Sequence, residues 1–176
     1  MTAQKIIIDT DPGQDDAVAI LLALASPDDL DVLGLTIVAG NVPLLATAKN
    51  ALMICELAGK PATKIFAGCD QPLGRPLVTA EHVHGKTGLD GPTLPDPCMA
   101  LQDQHAVDFI IETLRVHAAS SITLCALGPL TNIATAFQKA PDIIEKINKL
   151  VLMGGAYFEV GNITPTSEFN IYVDPQ

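Results

Sequence analysis

The sequence predicts an α/β fold: an open, mostly parallel, Rossmann-like sheet with helices on both faces. Three observations carry that prediction. Short apolar runs alternate with helix-length periodic segments from Lys5 onward, which is the pattern of successive βα units. The short runs are apolar at consecutive positions, as expected for strands covered on both faces. No internal repeat or low-complexity tract breaks the alternation, so residues 1–176 read as a single domain.

Each element has its own justification. "KIIIDT" (5–10) is a β-branched strand broken by Pro12-Gly13. From Gln14 to Ala25 the set Ala17, Ile20, Leu21, Leu24 keeps helical spacing. Val18, Leu22 and Ala25 widen that stripe until little polar face remains, which predicts a well-buried helix. "DVLGLTIVAG" (31–40) is a second strand and "LLATAKNALMICELAG" (44–59) a second helix, with Gly59 as its C-cap. "TKIFAG" (63–68) is a third strand. Residues 69–97 are rich in Pro and Gly and have little periodicity; a loop of that length in a compact domain is usually functional or mobile. Val107, Ile110, Ile111 and Leu114 mark a helix over 104–118. A strand at 121–127, a helix at 129–138 and a strand at 147–155 follow, and "FNIYVDPQ" begins another unit. Asp174-Pro175 reads as the cap and first position of a further helix, so the C-terminal part of the fold is expected to be either absent here or supplied by another chain.

Composition narrows the functions. Hydrophobic residues make up 48% and mean hydropathy is +0.34, a globular balance. No apolar stretch reaches membrane-spanning length, and "MTAQK" lacks the apolar core of a signal peptide, so a cytoplasmic protein is expected. The net charge of −10 disfavours nucleic acid, whose binding relies on Lys and Arg displacing counterions. Cys55, Cys69, Cys98 and Cys125 form no C-x-x-C pair; they are expected to be reduced, with Cys55 and Cys125 in the core.

Chemistry concentrates at strand ends, where parallel α/β sheets bind ligands. Asp9 and Asp11 end the first strand, and Asp15 and Asp16 open the following helix. Two of these acids suit the positive end of a helix dipole, but Asp11, before the turn, is left over. Carboxylates converging on one point suit a hard divalent cation, which also offsets their repulsion. Asn41 follows the second strand. Leu127, before Gly128-Pro129, offers a backbone carbonyl. After Met153-Gly154-Gly155 come Asn162, Glu168 and Asn170, amides and a carboxylate able to bond several sugar hydroxyls. His82 and His84 lie in the long loop. GxGxxG after the first strand, GxxxxGK[ST] and G-x-S-x-G are all missing.

"DTDPGQDDAVAI" resembles the N-terminal signature of the inosine-uridine-preferring nucleoside hydrolases, the ribonucleoside hydrolases. The likeness continues in order through "TIVAGN", "HVHGKTGLDGP", "LGPLTNIA", "VLMGGAY" and "GNITPTSEFNIYVDP", and its flavour is that of the bacterial pyrimidine-preferring members. The resemblance implies an N-ribohydrolase of nucleoside salvage that uses Ca²⁺ and forms dimers or tetramers. It implies that Asp11 and Asp16 ligate calcium through carboxylates and Leu127 through its carbonyl, with Asp11 also the general base on water. It further implies Asp15 and Asn170 on the ribose 2′- and 3′-hydroxyls, and Asn162 and Glu168 on the 5′-hydroxyl. Asn41 and Met153 would line the reacting end of the sugar, and His84 would sit near the base. An oxocarbenium-like transition state suits such a carboxylate-rich pocket.

The chain is little more than half as long as a complete member. The remainder of the family fold implies another calcium-binding Asp and an adjacent His, so this chain alone is expected to be inactive or weakly active. Two alternatives stand beside this reading. "DTD" also satisfies the D-x-D of haloacid-dehalogenase-like, Mg²⁺-dependent phosphohydrolases, with Asp9 as nucleophile. A non-catalytic nucleoside-binding protein would keep the ribose residues without turnover.

Overall fold

A computed structural model describes residues 2–91, 93–155 and 158–176. Among the described residues five strands form one parallel sheet in the order β3-β2-β1-β4-β5. They are β1 (Gln4–Thr10), β2 (Leu30–Ile37), β3 (Ile65–Ala67), β4 (Ile122–Ala126) and β5 (Ile147–Leu152). The order reverses between β1 and β4, and the crevice beyond their carboxyl ends is where such sheets take ligands.

Side-chain alternation divides the core in two. Ile6 and Ile8 of β1 pack with Leu35, Ile37 and helices α1 (Gln14–Leu24) and α2 (Leu44–Leu57) on one face. Ile7 packs on the other face with α4 (Ala106–Val116) and α5 (Thr131–Lys139). The predicted coverage of both faces is therefore present. α4 buries Val107, Ile110, Ile111 and Leu114, the residues that predicted it, together with Phe109, and each such side chain is worth roughly 1.5–3 kcal/mol of transfer free energy. The Phe109 ring stacks on Phe66 with centroids 3.8 Å apart.

Several expectations need correction. α1 is one-sided: Ile20 and Leu24 are buried, but Val18 and Leu22 are 66% and 67% exposed, because nothing among the described residues packs on that flank. β2 ends at Ile37 rather than at Gly40, because the backbone turns there to wrap a side chain of the site. The loop over 69–97 contains a short helix, α3 (Glu81–His84). A 3-10 segment (Pro141–Lys146) precedes β5, and α6 (Phe169–Val173) is a single short helix. Asp174, read as opening a helix, instead follows α6 as its C-cap; its carboxylate accepts from Leu73 N at 3.0 Å and from the Thr131 hydroxyl. Cys55 is buried and Cys125 only half-buried, and all four cysteines are free.

Candidate active site

β1 carries its chain from the core into the crevice, and Pro12-Gly13 folds it back into α1. The turn brings the acids together but treats each differently. Asp16 is buried, and its Oδ1 accepts from the Thr10 hydroxyl at 2.6 Å. Its Oδ2 accepts from Gly13 N at 3.0 Å, which caps the start of α1. Asp15, one residue earlier, points to solvent with 78% of its side chain exposed, 3.9 Å from His84 Nε2.

Asp11 is held by the segment after β2. Asn41 N donates to Asp11 Oδ2 at 2.7 Å, while Asn41 Nδ2 donates back to the Asp11 carbonyl at 3.0 Å. The same amide reaches Asp16 Oδ2 at 3.3 Å. Space around the carboxylate is tight. A Cβ at Gly40 would stand 2.0 Å from Asp11 Oδ2, and one at Gly128 would stand 2.7 Å from Oδ1. Two backbone stretches can therefore close on Asp11 only as glycine.

The ends of β4 and β5 complete the floor. Asn170 Nδ2 donates to the Leu127 carbonyl, and to the Met153 carbonyl at 3.3 Å. Asn162 Oδ1 accepts from Phe169 N at 2.8 Å and so fixes the start of α6. These residues enclose a cavity of about 320 Å³. Asp11, Asp15, Asp16, Asn41, His84 and Leu127 face it, as do Met153, Asn162 and Asn170. Glu168 is the one predicted site residue outside its wall; it is the N-cap of α6, against Gly155. Sequence reading missed the apolar wall formed by Ala80, Val83, Ile163 and Phe169. It also missed the role of His82, which faces the cavity beside His84. The two histidines of "EHVH", just before Gly85, were the signal for the second of these.

Burial drives the site's electrostatics. Desolvation pushes the Asp16 carboxyl up to about 6, against the Thr10 and Gly13 hydrogen bonds that lower it. Asp11 rises well above the carboxylate range, first through burial and then through repulsion by Asp16. Asp9, behind the cavity, is pushed up to about 7 by burial although Thr36 and Asn132 donate to it. Its Oδ1 has no hydrogen-bond partner among the described residues. Carboxyls held this way are poised for proton transfer or for a cation. Among the described residues no group of three or more His, Cys, Asp or Glu is disposed to hold a metal. The hard oxygens of Asp11, Asp16 and Leu127 are nonetheless the donor chemistry that suits Ca²⁺.

Residues 6–176 match the profile described as inosine-uridine preferring nucleoside hydrolase. An uncharacterized protein of Schizosaccharomyces pombe is 56% identical over 171 residues, 97% of this chain and 55% of that protein. A pyrimidine-specific ribonucleoside hydrolase of Escherichia coli is 46% identical over 176 residues, 100% of this chain and 55% of that protein. A purine-preferring ribonucleoside hydrolase from Gardnerella vaginalis superposes with a TM-score of 0.93 at 37% identity, covering 98% of this chain and 55% of the other. The chain spans about half the length of the curated relatives it matches.

Proposed function

The chain belongs to the inosine-uridine preferring nucleoside hydrolase family, and on that footing we propose that its cavity binds the ribose of a nucleoside beside a Ca²⁺ ion for hydrolysis of the N-glycosidic bond. One observation carries the reading: a single cavity gathers Asp11, Asp16 and the Leu127 carbonyl with the amides Asn41, Asn162 and Asn170. Hydrolysis at enzymatic rates is proposed for the whole protein, and little or no turnover for these 176 residues alone.

Asp11, Asp16 and the Leu127 carbonyl would hold the cation, which would offset the repulsion between the two acids and lower the pKa of a bound water. Asp11 would accept a proton from water. Its bond from Asn41 N sets the direction of the free oxygen. Asn170 Nδ2 is committed to two strand-end carbonyls, so its Oδ1 accepts from a sugar hydroxyl. Asn162 Oδ1 is committed to Phe169 N, so its Nδ2 donates to one. Asp15, exposed at the rim, takes the other hydroxyl of the vicinal pair. Glu168 reaches the 5′-hydroxyl only by turning away from Gly155. The carboxylates stabilise positive charge developing on the sugar ring. His84, with His82 beside it, meets the base. A dimer or tetramer in the cytoplasm completes the proposal.

The experiment is ribose release from uridine and inosine with Ca²⁺, run beside p-nitrophenyl phosphate with Mg²⁺ and beside calorimetric titration of ribose. Binding of ribose only when Ca²⁺ is present supports the reading. Phosphatase activity abolished by Asp9→Asn would replace it with the phosphohydrolase alternative. Full-rate nucleoside hydrolysis by the 176-residue chain would overturn the assignment of turnover to the whole protein.

A further inference from the structure

Asn132 lies beneath the cavity, wholly buried in the first turn of α5 and outside the cavity wall. Its amide is fully used. Nδ2 donates to Asp9 Oδ2 at 2.9 Å and to the Ile37 carbonyl at 3.1 Å, while Oδ1 accepts from Cys69 N at 2.8 Å. One side chain thus ties together the carboxyl ends of β1 and β2 and the segment after β3. The amide presses so close to that segment that a Cβ at Gly68 would stand 2.2 Å from Oδ1. Only a short primary amide offers two donors and an acceptor from one plane in this space.

Asp9 closes the circuit. Its Oδ2 also accepts from the Thr36 hydroxyl at 2.6 Å. Its backbone carbonyl accepts from Leu127 N at 2.7 Å and from Gly128 N at 3.3 Å. The Leu127-Gly128 turn leads directly into α5 and back to Asn132. In the other direction β1 passes from Asp9 to Asp11. Two of the oxygen donors assigned to the cation, the Asp11 carboxylate and the Leu127 carbonyl, therefore hang from one buried pair. Every amide atom of Asn132 is engaged and Asp9 Oδ2 accepts two bonds, so the pair holds one arrangement although Asp9 Oδ1 is left without a partner among the described residues.

We propose that Asn132, acting through Asp9, is a positioning residue that sets the spacing between Asp11 and the Leu127 carbonyl; the cation half of this inference rests on the function proposed above. Asn132→Ala leaves the Ile37 carbonyl and Cys69 N unpartnered and frees the Leu127-Gly128 turn. Asn132→Asp keeps the shape and the acceptor for Cys69 N but loses both donated bonds. Exchanging the pair, Asp9→Asn with Asn132→Asp, restores an amide–carboxylate bond between the two positions.

The test uses the 176-residue chain, with residue-resolved amide exchange and Ca²⁺ titration followed by calorimetry. For Asn132→Ala, exchange at Leu127 and Gly128 is expected to rise about tenfold while Thr123 and Leu124 of β4 keep their protection, and Ca²⁺ affinity is expected to fall about tenfold or more. The exchanged pair is expected to recover most of both. Uniform acceleration across β1 and β4 would mean a merely structural role and would overturn the proposal. So would unchanged exchange at Leu127 and Gly128, or an exchanged pair no better than Asn132→Asp. If the parent chain binds no Ca²⁺ but the local exchange pattern appears, the positioning role stands and the cation reading falls. Should Asn132→Ala fail to fold, Asn132→Asp and the exchanged pair decide the matter alone.

Discussion

Asp11 and Gly40 share a space with no room for a methyl group: a Cβ on Gly40 would lie 2.0 Å from Asp11 Oδ2 and 2.8 Å from its Cγ. The contact exists because the chain after β2 bends inward so that Asn41 N can donate to that same oxygen. Gly40→Ala must push one of the two away. Overpacking of this sort costs about 1–3 kcal/mol, and the displaced carboxylate should lose Ca²⁺ binding along with its bond from Asn41. Gly59→Ala is the control. That residue has open space around it, but its φ is +66° beyond the end of α2, so its cost of about 1 kcal/mol should leave Ca²⁺ affinity intact. Thermal unfolding and calorimetric titration of the two variants check the contrast.

Asp11→Asn should separate stability from binding. The buried Asp11 carboxyl is destabilised by desolvation and by Asp16, so removing its charge relieves a strain of the metal-free protein. Melting in EGTA should rise by a few degrees, since about 1 kcal/mol moves Tm by roughly 2–4 °C in a chain of this size. Added Ca²⁺ should then stabilise the variant far less than the parent. A lower Tm in EGTA would show that the carboxylate is held by more than the observed hydrogen bonds.

Much of this site was legible because strand ends and acids announce themselves locally. Asp11, Asp16 and Leu127 each sit where an apolar run meets a Pro-Gly or Gly-Pro break, and the sheet order then brings those breaks together. The linking residues were not legible. Asn132 looks like one more polar position on an amphipathic helix, and its three partners lie 63, 95 and 123 positions away. The exposed flank of α1 was missed for the opposite reason. Periodicity reports which residues are apolar, and only the neighbouring elements decide whether Val18 and Leu22 are covered. Glu168 stands beside the cavity instead of in it because α6 begins there, and a five-residue helix leaves no usable period.

The outer edge of β5 predicts self-association of this chain. Leu150, Val151 and Leu152 are 38%, 53% and 45% exposed, although a parallel strand is normally covered on both faces. Among the described residues no strand pairs with that edge. An open apolar edge templates pairing with another chain. In sedimentation experiments the weight-average mass should climb with concentration, and Val151→Lys should hold it near the monomer. A parent chain that stays monomeric at every concentration would show that the edge is protected by its twist.

Protons and Ca²⁺ should compete for the buried acids. Burial raises the Asp9 carboxyl from 3.8 to about 7 and the Asp16 carboxyl from 3.8 to about 6, and Asp11 moves the same way. Between these limits the folded chain holds more protons than the unfolded one. Unfolding then releases protons, so stability is fully present below the unfolded value and is lost as pH rises through the folded values. In EGTA the protein should therefore melt higher at about pH 5 than at about pH 7.5. Exposed acids such as Asp142, lowered by its hydrogen bonds to Arg115, act oppositely only as pH falls through their own lowered values, beneath this window. Ca²⁺ takes deprotonated carboxylates, so its affinity and its stabilising shift should be larger at about pH 7.5 than at about pH 5. Melting curves at the two pH values, with and without Ca²⁺, give four numbers whose order is set in advance. Equal Ca²⁺ shifts at both would mean that the ion does not displace protons from Asp11 and Asp16, and would remove these two acids from its coordination.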